Sequence, residues 1–166
     1  MSLRPVQDVS RLPEAIERWH RIRVAQWDAM GKPLYPLHRE ERFRHFFQDL
    51  AVELVPAGAC LVWELLHGDD VVGSYVNFVD ERAFYYYLGG FDVGAARLGI
   101  GKLATAEGIR SSIAAGRRRY DFLEGAEAYK YWFGAEDRFS QFGLGTTRRL
   151  RSQVGSAVGR VLDRLR

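Results

Sequence analysis

The chain has 166 residues, of which 47% are hydrophobic, 13% aromatic and 27% charged. That length and mix suit one domain with its own core and exclude a disordered chain, a collagen-like chain and a disulfide-stapled mini-protein. The net charge is +3 and the pI about 9.2, but residues 148–166 hold six arginines against Asp163, +5, which leaves −2 for residues 1–147, so nucleic acid is not the expected partner.

Cys60 is the single cysteine, so no internal disulfide forms. The four histidines, His20, His38, His45 and His67, have no zinc-ligand spacing; no metal is expected, and they read as solvated polar residues. Cys60 opens the apolar run CLVWELL and reads as a small core residue. No apolar stretch approaches about 18 residues and the N-terminus has no apolar signal segment, so the expected compartment is the cytoplasm.

RPVQDV (4–9) suits one short strand. Ser10 ahead of Pro13 suits a helix start, and Leu12, Ala15, Ile16, Trp19 and Ile22 recur at helical spacing until Gly31 and Pro33. KPLYPLH (32–38) reads as a loop. Phe43, Phe47, Leu50 and Leu54 mark one face of a second helix, ended by Pro56 and Gly58.

The pattern then switches to strands. CLVWELL (60–66), VVGSYVNFV (71–79) and AFYYYLGG (83–90), joined by short polar turns, predict an antiparallel meander. A loop over 91–101 leads to a helix over 102–115. RRRYDFL (117–123) predicts a strand, 125–134 a short helix and 138–147 a last strand. Residues 148–166 predict a basic amphipathic helix, with Leu150, Val154, Val158, Val161 and Leu165 on one side. The expected fold is α/β (α+β), with a mostly antiparallel sheet and one βαβ crossover into RYDFL. The expected organisation is a domain over 1–147 followed by the tail helix 148–166.

Two segments can carry chemistry. In LGIGKLATAEGI (98–109), Gly99 and Gly101 precede a helix, whose first N–H groups are free and whose dipole favours an anion. Arg97 and Lys102 add positive charge there. It is neither a Walker loop nor a dinucleotide fingerprint, and two glycines equally suit a simple turn. In YDFLEGAEAYKYWFG (120–134), Asp121, Glu124, Glu127, Tyr129 and Lys130 gather at a strand end, where α/β proteins place ligands. A carboxylate there can act as a base and a tyrosine as an acid. A carboxylate in this setting is more often structural than catalytic, and Asp121 also suits pairing with one of Arg117, Arg118 and Arg119. Of Phe84, Tyr85, Tyr86 and Tyr87, two should face the core and two not; they can also wall a cleft.

The element order resembles the GNAT acyltransferase fold over nearly the whole chain. YYYLGGFD (85–92), the Gly101-Lys102-Leu103 helix start and the pattern Asp121, Phe122, Gly125, Tyr129, Lys130 are similar to the acetyltransferase-like family associated with bacterial cellulose and exopolysaccharide biosynthesis. They are more distantly similar to the Fem-type aminoacyltransferases of peptidoglycan. The resemblance implies transfer of an acyl group, acetyl by preference, from acyl-CoA to an amine without an acyl-enzyme. It implies acetyl-CoA as co-substrate and a small-molecule amine or sugar-linked acceptor. It assigns backbone contacts to Leu88, Gly89 and Gly90, and the pyrophosphate loop to Ala96 through Gly101 with Arg97, Gly99, Gly101 and Lys102. It also places Lys130 at the cofactor, Tyr129 as general acid, and Asp121 or Glu124 as base. Ala96 stands where the family pattern has Gln or Arg, and the arginine comes one residue later. The alternatives are a non-catalytic module of polysaccharide synthesis, a Fem-like half, and a tail helix that rests on a membrane surface.

Overall fold

The structure is a computed structural model and describes residues 1–139. The predicted tail helix, and all but the first two residues of the predicted strand over 138–147, lie outside the described residues. By internal contact the chain divides into two compact units, 1–135 and 136–166; the description below is of the first.

Five strands, β1 (Ser2–Pro5), β2 (Cys60–His67), β3 (Asp70–Val79), β4 (Ala83–Phe91) and β5 (Arg119–Asp121), form one sheet in the order β1-β2-β3-β4-β5. The first four are antiparallel and β5 is parallel to β4, as the meander and crossover predict. The helices are α1 (Leu12–Ala29), α2 (Glu41–Leu54), α3 (Ile100–Ala114) and the single turn α4 (Ala128–Tyr131).

The helix stripes explain the packing. Leu12, Ala15, Ile16 and Trp19 of α1, with Phe43 and Phe47 of α2, bury against Cys60, Val62 and Val76 on one side of the sheet. Trp63, Leu65, Tyr75 and Phe84 point the other way and pack with Ile100 and Ala104 of α3. Trp19 is fully buried between Phe43 and Phe47; a ring of that size is worth about 3–5 kcal/mol against alanine. The fully buried Glu64 is held from both sides by Arg4 and by Arg18 of α1, which neutralises it inside the sandwich.

Several expectations shift, among them the helix over 125–134, which is only the turn Ala128–Tyr131, and the start at Ser10, since α1 begins at Leu12 with no side-chain cap. The first strand lies at Ser2–Pro5 and overlaps the 4–9 window only at Arg4 and Pro5, because Asp8 caps a turn of 3-10 helix at Val9–Arg11. The 91–101 loop contains a 3-10 turn, Val93–Leu98, capped by Asp92. Gly99, at φ +68°, reverses the chain there, so α3 starts at Ile100 and not at 102. The 117–123 strand shortens to Arg119–Asp121, because the Asp121 side chain takes the Leu123 N–H at 2.8 Å and turns the chain out of the sheet.

The histidine reading is corrected in part. His20 and His38 are half-buried, Nε2 of His20 meets the His38 carbonyl at 2.6 Å, and His38 stacks on Phe43 at 4.5 Å. Burial, with help from Arg23 and His20, holds His38 below its ordinary pKa and so favours the neutral ring.

Candidate active site

β4 and β5 pair only at Ala83–Arg119, Phe84–Tyr120 and Tyr85–Asp121. β4 continues to Phe91, while the chain after β5 leaves at Leu123. The opening between them is widened by an irregularity on the β3 side. Tyr85 pairs with Phe78 and Leu88 with Val76, so Tyr86 and Tyr87 together face Asn77. That extra residue is a bulge, which bends β4 and re-aims its side chains. Tyr86 then lies with Tyr75 and Tyr120, and Tyr87 falls on the opposite side against Phe47 and Phe78.

A cavity of about 580 Å³ occupies this opening. Its walls include the second half of α1 with Arg23, Gln26 and Trp27, followed by Met30 and Lys32; Tyr75 of β3; β4 from Tyr86 to Gly89; the Gly99–Lys102 start of α3; and the segment after β5 with Phe122, Glu124, Glu127, Tyr129 and Lys130.

The structure brings most of the sequence-derived residues to this one cavity. Leu88, Gly89, Gly99, Gly101, Lys102, Glu124, Tyr129 and Lys130 all line it. Asp121, Gly90 and Arg97 do not. Asp121 takes the Leu123 N–H and lies 3.6 Å from Arg119 Nε, the structural pairing that the arginine triplet suggests. Gly90 packs on α1, where an added Cβ would stand 2.8 Å from Arg23 Cα.

At the start of α3, the Leu103 N–H is the first to reach back, to the Gly99 carbonyl. The N–H groups of Ile100, Gly101 and Lys102 precede that bond and sit at the cavity, with no side-chain cap. Lys102 Nζ lies 4.6 Å from the centre of the Trp132 ring, a cation–π contact.

Lys130 is 5% exposed and fully engaged. Its Nζ donates to the carbonyls of Glu124 at 2.8 Å and Gly125 at 3.0 Å and pairs with Glu127 at 2.8 Å. It thus ties the loop before α4 into one shape. Burial acts against the Glu127 carboxylate, but the bond from Lys130 and the nearby Lys32 outweigh it and hold Glu127 below its ordinary pKa. Tyr129, the residue before Lys130, is half-buried and makes an edge-to-face contact with Phe122 at 6.1 Å. Burial and the Glu127 charge both push its hydroxyl pKa up, so the phenol holds its proton at neutral pH. Burial does the same, more strongly, for Tyr75, Tyr86 and Tyr120.

Sequence reasoning missed Arg23 and Gln26. Arg23 Nη1 donates to the Gly89 carbonyl at 2.8 Å, and Gln26 Oε1 accepts from the Phe91 N–H at 3.3 Å. Trp19 Nε1 reaches the Leu88 carbonyl at 3.3 Å. α1 therefore supports β4 from the side. The signal was present: the buried stripe of α1 runs 12, 15, 16, 19 and then 23 and 26, where polar residues replace apolar ones.

Residues 3–131 match the family model described as the acetyltransferase (GNAT) domain, and the chain belongs to that family. Comparison with curated proteins finds no match. Solved structures share the fold at low identity. A predicted acetyltransferase from Clostridium acetobutylicum, solved with acetyl-CoA, aligns with a TM-score of 0.61 and 10% identity, covering 87% of this chain and 95% of its own. A GCN5-related N-acetyltransferase from Ralstonia eutropha JMP134 aligns at 0.62 and 14%, covering 87% and 97%. An aminoglycoside acetyltransferase from an uncultured soil metagenomic sample, in complex with sisomicin, aligns at 0.59 and 16%, covering 88% and 96%. Among the described residues no helix is long and apolar enough to cross a membrane, and no cluster of His, Cys, Asp and Glu suits a metal ion.

Proposed function

We propose that this protein transfers an acetyl group from acetyl-CoA to the amine of a small-molecule acceptor by direct attack. One observation carries the reading: the open N–H groups of the α3 start, the unpaired stretch of β4 and the Tyr129 hydroxyl segment meet at one cavity. The α3 start suits the CoA pyrophosphate, which its free N–H groups and dipole stabilise. Neighbours solved with acetyl-CoA and with the amine-rich sisomicin support the donor and the acceptor type.

In the step itself the acceptor nitrogen forms a bond to the thioester carbon and the carbon–sulfur bond breaks. Tyr129, still protonated at neutral pH, gives its proton to the departing thiolate. Glu124, the cavity carboxylate free of Lys130, takes the proton that the nitrogen loses. Lys130 serves by fixing the loop that carries both residues. The kinship to the cellulose- and exopolysaccharide-associated family is part of the same proposal and rests on the run from Asp121 to Lys130.

Release of free CoA thiol, monitored with a panel of amines, tests the reading. Amine-dependent release with a matching acetylated product supports it. Thiol release at one rate with and without every amine would overturn it.

A further inference from the structure

Arg23 is 8% exposed and lines the cavity, yet no carboxylate pairs with it among the described residues. Its Nη1 is used by the Gly89 carbonyl, and its Nε is buried with no acceptor. The Trp27 ring lies 5.5 Å away, and Tyr86 and Tyr87 are the other neighbours that favour its charge, none of them a carboxylate. A clamp on one carbonyl needs no charge; Gln26, one turn on, serves the Phe91 N–H without one. Burying a guanidinium without a counter-charge is costly and lowers its own pKa, so the arrangement calls for an anion that the described residues do not supply. The cavity carboxylates do not supply it: Glu127 is tied to Lys130, and Glu124 is exposed and pairs with neither. Lys32 also lines the cavity, close enough to Glu127 to act on its carboxylate.

We propose that the acceptor is an amine that also carries an anionic group, a carboxylate or a phosphate, held by Arg23. This rests on the acetyl-transfer reading above and narrows its acceptor. The bond to Gly89 keeps the guanidinium in place, and its remaining N–H groups are the charge-assisted donors that would hold the anion. A polycationic acceptor would instead meet the unpaired Arg23 as a like charge, so the sisomicin-type ligand of the structural neighbour is disfavoured here.

The test uses matched acceptors with the full chain: α-amino acids against their methyl esters, and phosphoethanolamine against ethanolamine. The expected result is a kcat/KM at least roughly tenfold higher for the anionic member, carried by KM. The carboxylate and phosphate arms tell the two sources apart. Arg23→Gln should bring the pairs to within about threefold, and Arg23→Lys should restore part of the difference. Should Arg23→Gln fail to fold, the wild-type pairs alone decide. Equal rates within the pairs, or a preference for the neutral members or for sisomicin, would overturn the proposal. So would a loss of acetyl-CoA affinity in Arg23→Gln with the acceptor preference intact, which would assign the guanidinium to the donor. Calorimetric binding of acetyl-CoA without transfer to any tested amine would overturn the anionic acceptor alone. Absence of that binding would remove the acetyl-transfer reading and this one with it.

Discussion

The backbone of Arg23 lies directly on Gly90, so close that a β-carbon on Gly90 would stand 2.8 Å from Arg23 Cα and 3.0 Å from its nitrogen. The next residue back, Gly89, accepts the Arg23 hydrogen bond and faces the Tyr75 ring, where a β-carbon would fall 2.1 Å from Cδ1. The two glycines let α1 and Tyr75 close on β4 from opposite sides. Backbone cannot move aside as a flexible side chain can. Gly90→Ala should therefore push α1 off β4 and cost about 1–3 kcal/mol, read from denaturant midpoints. Its acceptor KM should rise with that displacement. An unchanged midpoint would show that the contact is looser than described.

Tyr129→Phe removes the proton that the departing thiolate needs. Turnover should fall by roughly 100-fold or more, with acetyl-CoA affinity unchanged, because the loss lies in the transition state. The wild-type hydroxyl titrates above the ordinary tyrosine value of 10.0, since burial and Glu127 both oppose the phenolate. The alkaline limb of kcat should accordingly lie above pH 10 and vanish in Tyr129→Phe. A mutant with wild-type turnover would remove Tyr129 from the role.

Lys130→Met keeps the bulk of the side chain and deletes its charge. The carbonyls of Glu124 and Gly125 lose their donor, and Glu127 loses its partner. A cost of about 2 kcal/mol or more is expected, with a fall in turnover as Tyr129 loses its setting. If stability held and only acetyl-CoA affinity fell, Lys130 would be a cofactor ligand and not a loop clamp.

Cys60 is fully buried, and burial pushes its thiol pKa up to about 12 from an ordinary 9.0. Between those values the unfolded chain has released the proton that the folded protein still holds. Fewer protons on the unfolded state means stability falls as pH rises. The contribution is complete below about pH 9 and lost through about pH 12. The buried tyrosines, also shifted upward, add to the same trend. Denaturant midpoints taken from pH 8 upward should decline, and Ellman's reagent should label Cys60 only as the protein unfolds. Prompt labelling of the native protein at pH 8 would contradict this burial.

Much of this was legible in the sequence, for identifiable reasons. The meander from Cys60 to Phe91 has β-branched and aromatic runs cut by short polar turns, and its strands appear within a residue or two of expectation. The glycine pair at the start of α3 and the Tyr129–Lys130 pair announced the cavity because their residue types are local signals. What stayed hidden depends on tertiary partners. The bulge at Tyr86 and Tyr87 is set by pairing with Asn77, which no local pattern records. Lys130 looks like a cofactor ligand in sequence, whereas its three partners are loop atoms brought together by the turn at Gly125. Arg23 sat in plain view at a core position of α1. The helical period carried past Trp19 reaches it, but only the missing counter-charge marks it as a candidate binding group.

The cavity between β4 and the start of α3 should bind acetyl-CoA. Isothermal titration of the folded protein with acetyl-CoA tests it most directly. The account predicts saturable heat with one site per chain, weakened in Gly99→Pro, which alters the turn that opens the α3 amides, and retained in Tyr129→Phe. No heat with folded wild-type protein at millimolar acetyl-CoA would contradict it.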